Sequence, residues 1–276
     1  MTVTLEELAP HAIKIAHQAG QAIMEFFKQG NFEEFHKEDE SPVTSADYAA
    51  NEIVLAELMR LTPEIPIISE EIEGLSLSDR GDWDRYWLID PLDGTQEFVA
   101  GRSDFAVNIA LVENGKPTLG VIYAPATDTT YWAIKGQGTH KISNGKTKRV
   151  QAKTINPEKP YLRVAISRVQ TLETITKFIK PEISIEFVSL GSCALKSCLV
   201  AEGTADIYLR VGPTGEWDTG APQIIVEEAG GCILDSEFEP LTYNKRESLL
   251  IPNFMVTSDA NFDWTQVIIP HSSRRD

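Results

Sequence analysis

The hydrophobic period changes twice along the chain, and that succession leaves few ways to bury the apolar faces it creates. Leu8, Ala12, Ile15, Ala16, Ala19, Ile23 and Phe26 recur at helical spacing, and Thr4 with Glu7 makes a capping box, so residues 4–28 are expected to be helical. Pro10 conflicts with that helix, because its ring removes a backbone donor, and predicts a kink or a later start. Residues 30–43 are polar and read as a loop or irregular hairpin. Thr44 or Ser45 then caps a second helix carrying Ala49, Ile53, Leu58 and Leu61. Apolar or alternating runs at 65–68, 86–89, 105–112, 118–123 and 130–134 follow as strands, with Asn114-Gly115 as a hairpin turn.

The second half alternates: strand 161–166, helix 171–180, strand 184–189, helix 193–203, strand 205–210, helix 218–229 stopped by Gly230-Gly231, and strand 231–235. Antiparallel pairs in front and alternation behind predict a layered α+β or α/β sandwich. Gly, Lys and Asn accumulate over 140–160, which predicts a lobe boundary there.

Charge removes one class of partner. With 41 acidic and 25 basic residues the formal charge is −16, and no basic stripe offers the phosphate neutralisation that a nucleic-acid duplex requires. Cys193, Cys198 and Cys232 are odd in number and lack C-x-x-C spacing, which argues against a disulfide framework or a thiolate zinc site and fits a reducing compartment. The start MTVTLEEL has neither the basic nor the apolar region of a signal peptide, and no apolar run approaches the ~20 residues that span a bilayer. The chain therefore reads as soluble and cytoplasmic. Its five His residues show no metal-ligand spacing, and His11 and His17 read as helix-surface residues.

Chemistry concentrates in Trp87-Leu88-Ile89-Asp90-Pro91-Leu92-Asp93-Gly94-Thr95. An apolar strand delivers Asp90 to its end, and Asp93 follows after a turn forced by Pro91 and released by Gly94, so both carboxylates can converge. Two buried anions that close need a cation between them, and hard oxygen ligands suit Mg²⁺ better than zinc. Taken alone, such a pair can equally cap a turn. The run 65–68 also ends in carboxylates, Glu70 and Glu71 after Ser69, and Glu216-Trp217-Asp218 places Asp218 where a helix begins. Three element ends presenting carboxylates supply enough anionic oxygen for two or three Mg²⁺ ions.

Ser69-Glu70-Glu71, Asp90-Pro91-Leu92-Asp93-Gly94-Thr95 and Trp217-Asp218, in this order, resemble the lithium-sensitive, magnesium-dependent phosphatase superfamily of inositol monophosphatase. The similarity runs from Pro42-Val43-Thr44-Ser45-Ala46-Asp47 to Glu227-Glu228-Ala229-Gly230-Gly231. Within it, Leu190-Gly191-Ser192, the segment from Lys196 to Gly203, and Gly212-Pro213-Thr214 resemble the bacterial 3′(2′),5′-bisphosphate nucleotidase branch, which removes the 3′-phosphate of adenosine 3′,5′-bisphosphate to leave AMP. The resemblance implies an αβαβα sandwich of the inositol monophosphatase/fructose-1,6-bisphosphatase kind. It would be a single domain over 1–276, with a metal-binding lobe over about 1–150 and an α/β lobe over about 151–276 completing the substrate site. It further implies a cytoplasmic enzyme, with peripheral contact to the inner membrane left open.

Residue by residue, the resemblance implies that Glu70, Asp90 and the Leu92 carbonyl hold one Mg²⁺, and that Asp90, Asp93 and Asp218 hold a second. Asp47 with Glu70 would bind a weaker third ion or order its water. Thr95 would hydrogen-bond the water that attacks in line, Glu70 and Thr95 together fixing its line of attack, and the Gly94 and Thr95 amides would hold phosphate oxygens. Lys196 and Arg210, with Ser192, would meet the remaining phosphate or its surroundings. Li⁺ would inhibit by displacing a less tightly held ion. Two departures fall in the region that the resemblance assigns to the nucleoside: Cys193 stands where the family often has Ser, and Ser167-Arg168-Val169-Gln170 where it has Ser-Arg-Ser-His. The rival readings are an aspartyl-phosphate phosphatase, which would need D-x-D in place of D-x-x-D; an inositol monophosphatase or fructose-1,6-bisphosphatase; and an inert divalent-ion or nucleotide-binding regulatory protein.

Overall fold

The computed structural model describes residues 3–36, 42–72, 74–158, 161–168, 170–251 and 253–269. Helix α1 (Leu5–Gln29) starts at the expected box, with the Thr4 amide donating to Glu7 at 2.9 Å, and ends at Gly30 in the left-handed conformation. It runs unbroken through Pro10, which is exposed, so water can meet the carbonyl its missing donor leaves unserved. Strands β1 (Glu34–His36) and β2 (Pro42–Thr44) pair as a short antiparallel ribbon, and residues 37–41 of the expected loop lie outside the described residues. Helix α2 (Ser45–Leu61) follows, N-capped by Thr44.

Next come β3 (Ile67–Ser69), the single turn α3 (Leu77–Arg80), β4 (Arg85–Asp93), the short α4 (Thr95–Val99), β5 (Ala106–Glu113), β6 (Lys116–Ala124), β7 (Thr129–Ile134), β8 (Gly138–Ser143) and β9 (Lys146–Val150). These strands form one seven-stranded sheet in chain order, antiparallel except for the β3/β4 pair. Asn114-Gly115 makes the expected two-residue hairpin, both residues at positive φ. The chain continues through β10 (Tyr161–Ile166), α5 (Leu172–Thr176), β11 (Ser184–Ser189), α6 (Cys193–Ala201), β12 (Ile207–Arg210), β13 (Thr214–Gly215), α7 (Trp217–Ala229), β14 (Cys232–Asp235), β15 (Leu250–Ile251) and β16 (Phe254–Thr257). A second sheet has the order β11-β10-β12-β16-β14, and β13 pairs with β15.

Alternation along the strands explains the layering. Trp87 and Ile89 of β4, with Val107, Ile109, Leu119 and Val121, pack against Leu8, Ile15, Ile23, Val54 and Leu58 of α1 and α2. Their neighbours Tyr86, Leu88, Ala110 and Ile122 face the other way, onto α6 and α7, which also contact Ala165, Tyr208 and Val256 of the second sheet. The far face of that sheet is closed by Ile175, Ile179, Trp264 and Val267. The expected αβαβα sandwich is therefore the observed one, with a thin outermost layer.

The expected helix 171–180 shrinks to Leu172–Thr176. Its β-branched run Thr174-Ile175-Thr176 is a weak helix former, and the residues beyond are drawn into pairing with the C-terminal segment, where Ile179 bridges Ile268. Gly120 of β6 is where α7 comes closest: a Cβ there would lie 2.5 Å from Ile224 Cγ2 and 2.8 Å from the Ala221 carbonyl. Gly120→Ala should therefore cost about 1–3 kcal/mol through forced displacement of α7. Urea denaturation showing wild-type stability would refute this close approach.

Candidate metal centre and cleft

A bulge in β4 brings the first two carboxylates together. Residues three apart on a regular strand face opposite sides of the sheet. Here Asp90 pairs with Asn108 and Asp93 with Ala106, so β4 carries one residue more than β5 across this interval, and the parity is restored. Pro91 sits inside the bulge, where no ladder donor is needed. The expected turn at Pro91 is thus a bulge within a strand that continues to Asp93. Asp218 arrives in the first turn of α7, and one carboxylate oxygen from each of Asp90, Asp93 and Asp218 lies within 4.8 Å of the others.

Glu70 follows β3, its amide donating to the Ile89 carbonyl at 3.1 Å, which sets it beside Asp90. Burial pushes the Asp90 carboxyl well above the usual range, and the charges of Glu70, Asp218 and Asp93 push it further. Asp218 is raised in the same way, first by burial and then by Asp93 and Glu70, with Arg210 opposing. Asp47 is pushed up to about 6, mainly by burial and additionally by Glu70, against hydrogen bonds from Thr44 and Thr95. The cluster is thus an arrangement of mutually repelling oxygen ligands, Asp47, Asp90 and Asp93 buried and Glu70 and Asp218 half-buried at the cleft. That chemistry fits a hard divalent cation.

Thr95 opens α4, its hydroxyl 3.0 Å from Asp47 Oδ1 and 3.1 Å from the Leu92 carbonyl, either of which can accept its proton. Asp47 is itself fixed by the Thr44 amide at 2.7 Å and the Thr44 hydroxyl at 2.6 Å. Gly94 holds φ 100°, and a Cβ there would lie 2.7 Å from the Asp104 carbonyl, so only glycine fits.

Glu70, Asp93, Thr95 and Asp218 line a cleft of about 340 Å³ together with Ser192, Lys196 and Arg210. Lys196 is buried, lies 5.0 Å from the centroid of the Tyr208 ring and donates to the Ser192 carbonyl. Arg210 Nε donates to Thr214 Oγ1 at 2.7 Å. The structure thus gathers Glu70, Asp93, Gly94, Thr95, Ser192, Lys196, Arg210 and Asp218 around the cleft, while Asp90, Leu92 and Asp47 lie buried behind it. Burial pushes the Cys193 thiol well up, and Asp218 and Asp93 add to it, so it is no thiolate nucleophile.

Several participants were not singled out from sequence. Gln96, Glu97 and Tyr208 also line the cleft, as does Ser167 of the segment expected near the nucleoside. Asp104 accepts from the Gly191 amide at 3.0 Å and from Arg168 Nε at 3.0 Å. Arg168 is therefore engaged by Asp104, and Val169 lies outside the described residues. No local pattern marks Asp104; its partners are more than 60 residues away. His17 is more than a surface residue: it stacks on Tyr123 and lies 2.7 Å from Thr130 Oγ1. His271 lies outside the described residues.

A two-sheet sandwich with an acidic cluster at the mouth of a cleft defines a class, and the chain belongs to the inositol monophosphatase family, whose model matches residues 4–266. Within that class it is similar to the 3′(2′),5′-bisphosphate nucleotidase CysQ of Haemophilus influenzae, 42% identical over 95% of this chain and 97% of the relative. It is 40% identical to the CysQ of Escherichia coli K12, over 88% of this chain and 97% of the relative. Among solved structures, CysQ from Bacteroides thetaiotaomicron superposes with a TM-score of 0.80 at 36% identity, covering 94% of this chain and all of the other. No described helix is long and apolar enough to cross a membrane.

Proposed function

We propose that the protein is a magnesium-dependent 3′(2′),5′-bisphosphate nucleotidase that converts adenosine 3′,5′-bisphosphate to AMP and phosphate. The observation that carries this reading is the carboxylate trio within 4.8 Å at a cleft that also holds Lys196 and Arg210. Similarity to the CysQ nucleotidases over nearly the whole chain supports the substrate class.

Glu70, Asp90, Asp93 and Asp218, with the Leu92 carbonyl, would hold two Mg²⁺ ions, and Asp47 with Glu70 a weaker third. When bound, magnesium supplies acidified water and neutralises charge on the attacking and leaving oxygens. The protein's own groups do the rest. Thr95, donating its proton to Asp47, turns its oxygen lone pairs toward a water in the cleft and sets that water's line of approach to phosphorus. Asp47, fixed in turn by Thr44, is the acceptor that orients the Thr95 hydroxyl. A protein of charge −16 repels a bisphosphate at long range, and Lys196 and Arg210 offer local positive charge to the phosphate that is not cleaved.

Asp90 is a poor nucleophile for an aspartyl-phosphate route: it is buried, held by the Leu92 amide at 3.0 Å and faced by three other carboxylates. Thr95→Ala should lower kcat by roughly 10²-fold or more with a small change in KM, the range seen when a positioned proton-transfer group is removed. A steady-state comparison showing unchanged kcat would exclude Thr95 from water orientation.

A further inference from the structure

Ser192 adopts a backbone conformation that a serine ordinarily avoids. Six non-glycine residues among those described have positive φ, and four of them are Asn or Asp. Ser192, at φ 59° and ψ 135°, lies outside even the left-handed helical region, in territory that glycine alone enters readily. A glycine would make this turn without strain, so the serine side chain must do something that outweighs it.

The preceding residues show why the turn falls here. The Leu190 amide donates to the Ile166 carbonyl at 3.1 Å, and the Gly191 amide to Asp104 at 3.0 Å. A Cβ on Gly191 would lie 2.4 Å from Glu97 Cγ and 2.7 Å from Asp104 Cβ, so the chain is pressed against α4 and the segment after it. From that pinned position it must reverse at once to start α6. The reversal aims three donors at one carboxylate: the Ser192 hydroxyl and the Ala194 amide (2.7 Å) at Asp93 Oδ2, and the Cys193 amide (3.0 Å) at Oδ1. The same hydroxyl oxygen accepts from the Leu195 amide at 3.0 Å, closing the helix cap. An ionised carboxylate has about four acceptor directions. With three taken by α6, the fourth is left for the side shared with Asp90 and Asp218.

We infer that Ser192 is a positioning residue, whose strained turn and hydroxyl fix Asp93 so that its free acceptor direction faces a divalent cation, and that it thereby sets cation affinity and does not itself contact the phosphate ester. This rests on the reading that the Asp90, Asp93 and Asp218 cluster holds such a cation. Orientation of a ligand by outer partners is a known determinant of metal affinity, commonly by 10–100-fold.

The experiment is calorimetric titration of Mg²⁺ into metal-stripped wild type, Ser192→Ala and Ser192→Gly, with melting temperatures of the stripped proteins and kcat and KM at several Mg²⁺ concentrations. Both variants should bind Mg²⁺ roughly 10-fold or more weakly. Their kcat should recover toward wild type in excess Mg²⁺ with KM little changed, and stripped Ser192→Gly should melt above Ser192→Ala because glycine relieves the turn. Unchanged Mg²⁺ affinity with a raised KM would make Ser192 a substrate contact. Unchanged affinity with a lowered melting temperature would make it only a helix cap, and failure of both variants to fold would make it only structural; each result overturns the assignment. Absence of Mg²⁺ binding by the wild type would overturn the cluster reading itself, and the wild-type titration alone reveals that case.

Discussion

Asp218→Asn should lower phosphate release by at least ~10³-fold, equivalent to about 4 kcal/mol of lost transition-state stabilisation, while leaving the fold intact. The substitution keeps the shape at the start of α7 but removes an anionic oxygen from a trio of three. Within the trio neither partner can move to replace it, because Asp90 is fixed in the bulge and Asp93 is engaged by α6. Asp93→Asn should be as severe for turnover. It is less clean structurally, since an amide offers a single acceptor oxygen to the three donors that Asp93 now satisfies. Circular dichroism and melting of Asp218→Asn establish that it is folded. Near-normal turnover in that folded variant would show that the trio does not act through shared charge.

The second large effect concerns stability without metal. Asp90, Asp218 and Asp47 all have carboxyls raised in the folded protein. A raised folded-state pKa means that the folded state holds the proton more tightly than the unfolded chain does. Its stabilising contribution is complete below the unfolded value and is lost as pH climbs through the folded one. For Asp47 that window lies between 3.8 and about 6, and the raised Asp90 and Asp218 carboxyls contribute in the same direction. Metal-stripped protein should therefore melt at progressively lower temperature as pH rises toward neutrality. Asp90→Asn should flatten that slope and raise the melting point at neutral pH, while added Mg²⁺ should stabilise the wild type by binding the folded state alone. Glu202 acts in the opposite sense: despite burial, hydrogen bonds from Lys141 and Tyr131 hold it low, so its contribution is lost only in acid. A stripped protein whose stability climbs through the neutral range would contradict the account of a repelling cluster.

Local signals carried much of the architecture. The Thr4–Glu7 box, the Asn114-Gly115 hairpin and Gly230 at the end of α7 each act through neighbouring residues, and each is where its chemistry places it. What escaped depends on distant partners or on composition that hides a strand. β8 and β9 lie in the stretch whose Gly, Lys and Asn content suggests a boundary, because an exposed edge strand such as Lys146–Val150 is kept polar. The turn Asn144-Gly145, with both residues at positive φ, was the available signal for that hairpin. β16, Phe254–Thr257, has only three consecutive apolar residues, too few to stand out, yet it occupies an interior position of the second sheet. In the site, the carboxylates were legible because metal chemistry demands a residue type at an element end. Asp104 and the geometry of Ser192 were not, because their meaning lies in contacts across the fold and in a backbone angle that sequence does not display.

The most direct measurement of the central claim is phosphate release from adenosine 3′,5′-bisphosphate, inositol 1-phosphate and fructose 1,6-bisphosphate, each assayed with Mg²⁺, with EDTA and after Mg²⁺ is restored. Rapid release from the nucleotide in Mg²⁺, its loss in EDTA and its return on restoring the ion, with slower release from the two sugar phosphates, is the expected result. Release that persists in EDTA, or that prefers inositol 1-phosphate, would contradict a carboxylate-held divalent centre serving a bisphosphate nucleotide.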